Sequence, residues 1–276
     1  MPVLYLPLIG FFAGMLIISL GGGGGAVYVG VLTGLCGIAP DVAASVSLAT
    51  AIPTTLMGAF SHYRAGNVNI RLALYVLAGT AVGSVAGSLC SGLLPLRFYN
   101  MLTGLILLVL ALQMTWHCIY PPKREIKDAD SLTAKDKLKA MAYGLLGGVM
   151  SGLLGVTGGG PITAGLFVLG CTPLHAVGTS VFVIFGMSLV GFFMHLSLGH
   201  MDWNLVKLML SGTLAGAFAG PWLMSKLDRQ KVNRYLRPLV AVINLILAVL
   251  ILMKWMYPAA MIGLMRSIVD AHKSIG

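Results

Sequence analysis

GGGGG at Gly21–Gly25, with its echo TGGG at Thr157–Gly160, decides how this chain is read. Each run interrupts an apolar segment where a membrane helix would otherwise continue. Glycine costs about 1 kcal/mol relative to alanine in a helix interior, so five in succession do not hold a helix. Lipid offers no partners to backbone freed in this way, and such breaks are tolerated where they pack in protein or line a watery cavity. Paired breaks at corresponding places in two halves point to a transport site between them. The competing reading is that these glycines only let helices pack closely.

Around the breaks the chain is apolar: of 276 residues, 58% are hydrophobic and 9% charged, with mean hydropathy +0.92. That excludes a soluble globular domain and leaves an integral membrane protein. Alternation every second residue is missing, so the spans are expected to be helices rather than barrel strands. Apolar runs lie at Val3–Leu20, Ala26–Cys36, Val42–Phe60, Leu72–Leu94, Tyr99–Trp116, Ala140–Val156, Pro161–Cys171, Val177–Leu196, Leu205–Met224 and Tyr235–Met256. A helix needs about 20 residues to cross about 30 Å of hydrocarbon. The pieces that follow the glycine runs are too short to cross upright and read as re-entrant or broken arms.

The polar stretch PPKREIKDADSLTAKDKLK at Pro121–Lys139 separates two halves that can be superposed by an offset of 133, the separation of His62 and His195. The same offset pairs Gly37 with Gly170, Pro40 with Pro173, Ser47 with Ser180 and Gly58 with Gly191. It also pairs Gly79, Thr80, Gly83 and Gly87 with Gly212, Thr213, Gly216 and Gly220. An ungapped match of this length is an internal repeat. The expected division is a first membrane repeat at 1–119, a cytoplasmic linker at 120–139, a second repeat at 140–257, and an amphipathic or flexible tail at 258–276. The glycines spaced by four give each half a flat helix face, which is assigned to packing.

Charge orients the halves. Lys226, Arg229, Lys231, Arg234 and Arg237 fill one loop, and the central linker is equally basic, so both are expected in the cytoplasm. Counting spans back from these loops makes Ala140–Cys171 a hairpin that begins and ends inside, and Val3–Cys36 one that begins and ends outside. The fold class is therefore all-α, with two inverted repeats, each a glycine-broken helical hairpin plus three membrane-spanning helices. The net charge of +10 fits this loop bias, so no nucleic-acid partner is expected. The first charged residue is Asp41, so the N-terminus lacks the basic region of a signal peptide and is expected to be retained. Cys36, Cys90, Cys118 and Cys171 fit no metal spacing, and no cofactor or metal is expected.

None of the acidic residues falls in the middle of a span, which argues against cation transport, since such sites use oxygen anions. The interior offers instead backbone N–H groups, hydroxyls and two histidines. Helix N-termini and glycine-rich backbone favour small oxyanions. The candidate substrate-binding residues are Gly23, Gly24, Gly25, Ser45, Ser47, Thr50 and His62 in the first half. In the second half they are Thr157, Gly158, Gly159, Gly160, Thr179, Ser180 and His195, with Arg64 at a cytoplasmic anion entry. New helical arms are expected to open at Ala26 and Pro161, with their N-termini brought together near the midplane. Each hydroxyl has a plainer alternative in a bond to its own helix carbonyl, and each histidine in a capping role.

These residues resemble the sulfite exporter TauE/SafE family of membrane permeases. The resemblance lies in the first glycine run, in PDVAASVSLAT at Pro40–Thr50 with its echo PLHAVGTSVFV at Pro173–Val183, and in GAFSHYRAGNVNIRLAL at Gly58–Leu74. GFFMHLSLGHMDWNLVKL at Gly191–Leu208 completes the pattern, which covers nearly the whole chain. It implies a multi-pass protein of the bacterial inner membrane that exports sulfite, sulfoacetate or another small sulfur-containing or organic anion, and the inverted halves are expected to do so by alternating access. Its partners would be that anion and the lipid bilayer, with a homo-oligomer left open. The family pattern favours Thr179, where the first half has Val46, so equal roles for the two halves are in doubt. A passive anion channel on the same fold stays open. A membrane serine hydrolase built on Ser180 and His195 is the remaining alternative, and no enzyme is expected.

Overall fold

A computed structural model describes residues 5–20, 24–91, 93, 95–119, 132–198 and 201–226, together with 242, 245, 246, 248–253, 255 and 256. Its described residues form helices and connecting turns, with no strands among them. In chain order the helices are α1 (Leu6–Leu20), α2 (Gly24–Gly30), α3 (Pro40–Arg64), α4 (Ile70–Ser91), α5 (Leu96–Ile119), α6 (Ala134–Leu154), α7 (Gly159–Val168), α8 (Pro173–Ser197) and α9 (Trp203–Lys226). A π-helical turn, Val31–Leu35, continues α2. Gly23, most of the basic linker, the loop after α9 and the tail at 258–276 lie outside the described residues.

Local chemistry sets the boundaries. Proline occupies the first turn of both α3 and α8, where its missing N–H costs nothing. Thr133 and Asp136 form a capping box that starts α6. That helix stops at Gly155, whose φ of 65° is the left-handed conformation glycine adopts freely. Helices α3, α4 and the Leu174–Ser197 part of α8 are each long and apolar enough to cross a membrane. The short arms begin two residues earlier than expected, at Gly24 and Gly159 rather than at Ala26 and Pro161. Pro161 is thus the third residue of α7, still within the first turn, where no carbonyl awaits its N–H.

Two apolar cores form, each around a short arm. Tyr28 and Leu32 of the first arm are buried with residues of α1, α3 and α9. Ile162 and Leu166 of α7 are buried with residues of α4, α6 and α8. Each short arm is therefore packed by helices from both sides of the linker. Glycines make this possible. A Cβ at Gly79, Gly83 or Gly87 of α4 would strike the backbone of α6 at Met141, Leu145 or Val149. A Cβ at Gly212 or Gly216 of α9 would strike Pro7 or Phe11 of α1 in the same way. Such contacts are unavailable to any residue with a side chain at that spacing.

The contacts also fix helix direction. Residue numbers rise together along the α4–α6 seam and along the α1–α9 seam, so each pair is parallel. Helix α3 runs antiparallel to α8, because Asn69 just beyond the end of α3 meets Thr179 near the start of α8, whereas Leu48 meets Gly191. Large apolar side chains such as Leu74, Val82, Phe193 and Phe218 remain exposed on the outside, as a lipid-facing surface requires.

Candidate functional site

The second glycine break is visible in full. Between α6 and α7 the backbone at Gly155–Gly158 leaves the helix, and all four residues are buried. The Gly155 N–H donates to the Ser151 carbonyl at 2.7 Å, and the Gly159 N–H to the Thr157 carbonyl at 2.7 Å. Ser47, arriving on α3, donates its hydroxyl to the Gly155 carbonyl at 2.9 Å. Ala44, one turn earlier, packs so closely that Gly155 has no room for a side chain. Gly158 lies against the backbone of Gly147 and Gly159 and Gly160 open α7, so Gly158 has a packing role beside any in binding.

The remaining candidates separate by how their hydroxyls are used. Ser45, Thr50 and Ser180 each donate to a carbonyl of their own helix, at Val42, Val46 and Val177 respectively. The Thr179 hydroxyl accepts the Asn69 N–H at 3.0 Å and so ties the loop after α3 to α8. Its counterpart, Val46, is an apolar member of the core around the first arm. Gly24 and Gly25 begin α2. Arg64 ends α3, exposed, with its guanidinium 5.0 Å from the centre of the Phe60 ring.

The two histidines are not brought together. His62 lies in the last turn of α3 and His195 in the last turn of α8. Because these helices are antiparallel, the histidines stand towards opposite ends of the pair. Ser47 and Ser180 are separated in the same way, so the expected single meeting point of all the candidates does not form. Nor do Ser180 and His195 approach each other. Fifteen residues apart on one helix, they lie about 22 Å apart along its axis, far beyond reach as nucleophile and base.

His195 is fully buried. Its Nε2 lies 2.9 Å from the Gly152 carbonyl, which also accepts the Ser88 hydroxyl at 3.3 Å. Three further hydroxyls, absent from the sequence-derived candidates, stand on the helices that meet here: Ser84 on α4, Ser151 on α6 and Ser188 on α8, all fully buried. Nothing in the sequence pattern marks them. In the connecting loops, burial raises the Cys36 thiol above its ordinary range and pushes the Cys171 thiol up to about 11. Among the described residues no group of histidines, cysteines and carboxylates is placed to hold a metal.

The sequence profile described as sulfite exporter TauE/SafE matches residues 6–251. The chain is 31% identical over 215 residues to a probable membrane transporter protein, YdhB, of Bacillus subtilis (strain 168), covering 77% of this chain and 86% of the relative. It is 24% identical over 263 residues to YunE, a probable membrane transporter protein of the same organism, covering 88% and 96%. A probable membrane transporter protein of Haemophilus influenzae is 24% identical over 244 residues, covering 86% and 89%.

Proposed function

Given that the chain belongs to the sulfite exporter TauE/SafE family of membrane transporters, we propose that it exports a small sulfur-containing or organic anion by alternating access between two inverted repeats. Sulfite or an organosulfonate is the expected cargo, and the bacterial inner membrane the expected location. The observation that carries this reading is the α3–α8 pair. Two helices of 25 residues each begin 133 residues apart, at Pro40 and Pro173, and run in opposite directions. Two copies related by such an inversion can expose one path to either face in turn.

Charge supports the orientation. The end of α3, the start of α4 and the start of α6 lie at one end of the molecule and carry Arg64, Arg71, Lys135, Lys137 and Lys139. Lys137 sits 5.4 Å over the Tyr75 ring, which holds the starts of α4 and α6 level. A basic end of this kind faces the cytoplasm. Farther along α6, the buried break at Gly155–Gly158 and the opening turn of α7 bring glycine-rich backbone and the positive end of a helix dipole together, which receive negative charge without a fixed counter-charge. Thr157 and Gly158–Gly160 are the core of the substrate site, with Ser47 positioning the break. Ser45, Thr50, Thr179 and Ser180 line the path, together with Gly23–Gly25. His62 and His195 flank its two ends, and Arg64 gathers anions at the cytoplasmic mouth.

Efflux from proteoliposomes loaded with sulfite, sulfoacetate, thiosulfate or chloride tests this function. Saturable loss of a sulfur oxyanion, in preference to chloride, is expected. Flux no greater than from protein-free vesicles would refute it. Equal, non-saturating flux of all four anions would identify the passive channel instead.

A further inference from the structure

We infer that Ser84, Ser151 and Ser188 form an oxyanion-binding pocket at the α4–α6–α8 junction, in which the hydroxyls distinguish an oxyanion from a halide. This rests on the transport function proposed above and names a binding site that the glycine breaks alone do not supply. The three side chains come from three helices, each is fully buried, and none of their hydroxyl oxygens has a hydrogen-bond partner. Other buried serines behave otherwise: Ser45, Ser91 and Ser180 donate to carbonyls of their own helices, and Ser47 and Ser88 to carbonyls elsewhere. A buried polar group without a partner is costly and rare, and is retained where it has a ligand or a role in binding.

Contacts place the three at neighbouring levels. The Ser84 hydroxyl lies 3.2 Å from the position a Cβ would take on Gly191, so a side chain there would crowd that oxygen from the α8 side. Ser188 is one turn before Gly191 on the same helix. On α6, Ser151 immediately precedes Gly152, which packs against Ser84. The Gly155–Gly158 break begins one turn later, so the pocket adjoins the opening of α7.

Chemistry selects the ligand. Three neutral hydroxyls offer O–H donors without a formal charge, which suits an oxyanion that must also be released. The Gly152 carbonyl, which would repel an anion, is engaged by Ser88 and His195. Chloride, with one spherical charge, does not use three separated donors as a polyoxygen anion does.

The matched positions show that the fold requires neither the hydroxyl of Ser84 nor an unpartnered one at Ser188. Ser84 is matched by Ala217, which is buried without difficulty. Ser188 is matched by Thr55, whose hydroxyl donates to Ala51 of its own helix at 2.6 Å.

The test uses the full-length protein purified in detergent, with sodium sulfite as probe and sodium chloride as control, followed by efflux from proteoliposomes. Ser84→Ala, Ser151→Ala and Ser188→Ala should each weaken sulfite binding about tenfold, the worth of one charge-assisted hydrogen bond. The triple variant should lose the preference for sulfite over chloride. Since each substitution removes an unpartnered hydroxyl, thermal stability should stay level or rise, a sign opposite to that of a structural residue. Gly191→Ala, which crowds Ser84 from the other side, should also weaken sulfite binding. If the wild type transports sulfite and the triple variant keeps both its affinity and its selectivity, this inference alone is overturned. If the wild type neither binds nor transports any of the sulfur anions, the transport proposal falls with it.

Discussion

His62 and His195 hold matched positions in α3 and α8, yet their surroundings differ. His62 is partly exposed beside the loop that follows α3, whereas His195 is fully buried with Nε2 on the Gly152 carbonyl. The helices around them differ in the same sense. Ser84 and Ser88 of α4 correspond to Ala217 and Pro221 of α9, and Thr179 of α8 to Val46 of α3. The seam glycines of α4 and α9, by contrast, match one for one. The matched positions keep residues that set how close two backbones lie, while the polar interior differs. Buried hydroxyls and the buried histidine gather on the α4–α6–α8 side.

The seams should respond alike and most strongly. Gly79→Val and Gly212→Val each force a side chain into the backbone of a neighbouring helix, at Met141 and at Pro7. Each should cost about 3 kcal/mol or more in unfolding experiments in detergent. A large loss at one seam with none at the other would break the likeness between the halves. The histidines should then separate. Replacing His195 with alanine removes a partner of the Gly152 carbonyl in a buried site and should cost about 2 kcal/mol, against roughly 0.5 or less for the same change at His62. Equal losses would show that the asymmetry has no energetic weight.

Smaller effects sharpen the contrast. Ser47→Ala leaves the Gly155 carbonyl without its donor and should cost about 1 kcal/mol. Ser180→Ala removes a bond back to its own helix and should be close to neutral in stability. Last come the loop thiols. With its pKa pushed up to about 11 by burial, Cys171 stays protonated at neutral pH, and its alkylation rate should climb about tenfold per pH unit until that value. Cys36, also raised by burial, should respond in the same direction once Cys90 and Cys118 are replaced by serine. Rapid labelling of Cys171 at pH 7 would show that its loop is open to water.

Much of this frame was legible in the residues themselves. The 133-residue offset paired Pro40 with Pro173, and both occupy a helix's first turn, although the apolar runs read from Val42 and Val177 start later. Glycines spaced by four announced the seams, since only a missing side chain permits such contact. Less could be read of the site. Whether a serine in a helix bonds to its own carbonyl, as Ser45 does, or crosses to another segment, as Ser47 does, depends on what packs opposite. Ser84, Ser151 and Ser188 carry no periodic signature at all. The separation of Ser47 from Ser180 was hidden for a related reason: a repeat shows which residues correspond, not how far apart the copies place them.

Sulfite efflux from proteoliposomes containing Gly159→Val tests the central claim most directly, provided the variant reaches the membrane and unfolds at the wild-type temperature. An anion held by the opening turn of α7 predicts that flux falls at least about tenfold, because bulk at the first helical residue covers the positive end of the helix that receives it. Flux equal to that of the wild type would contradict the account.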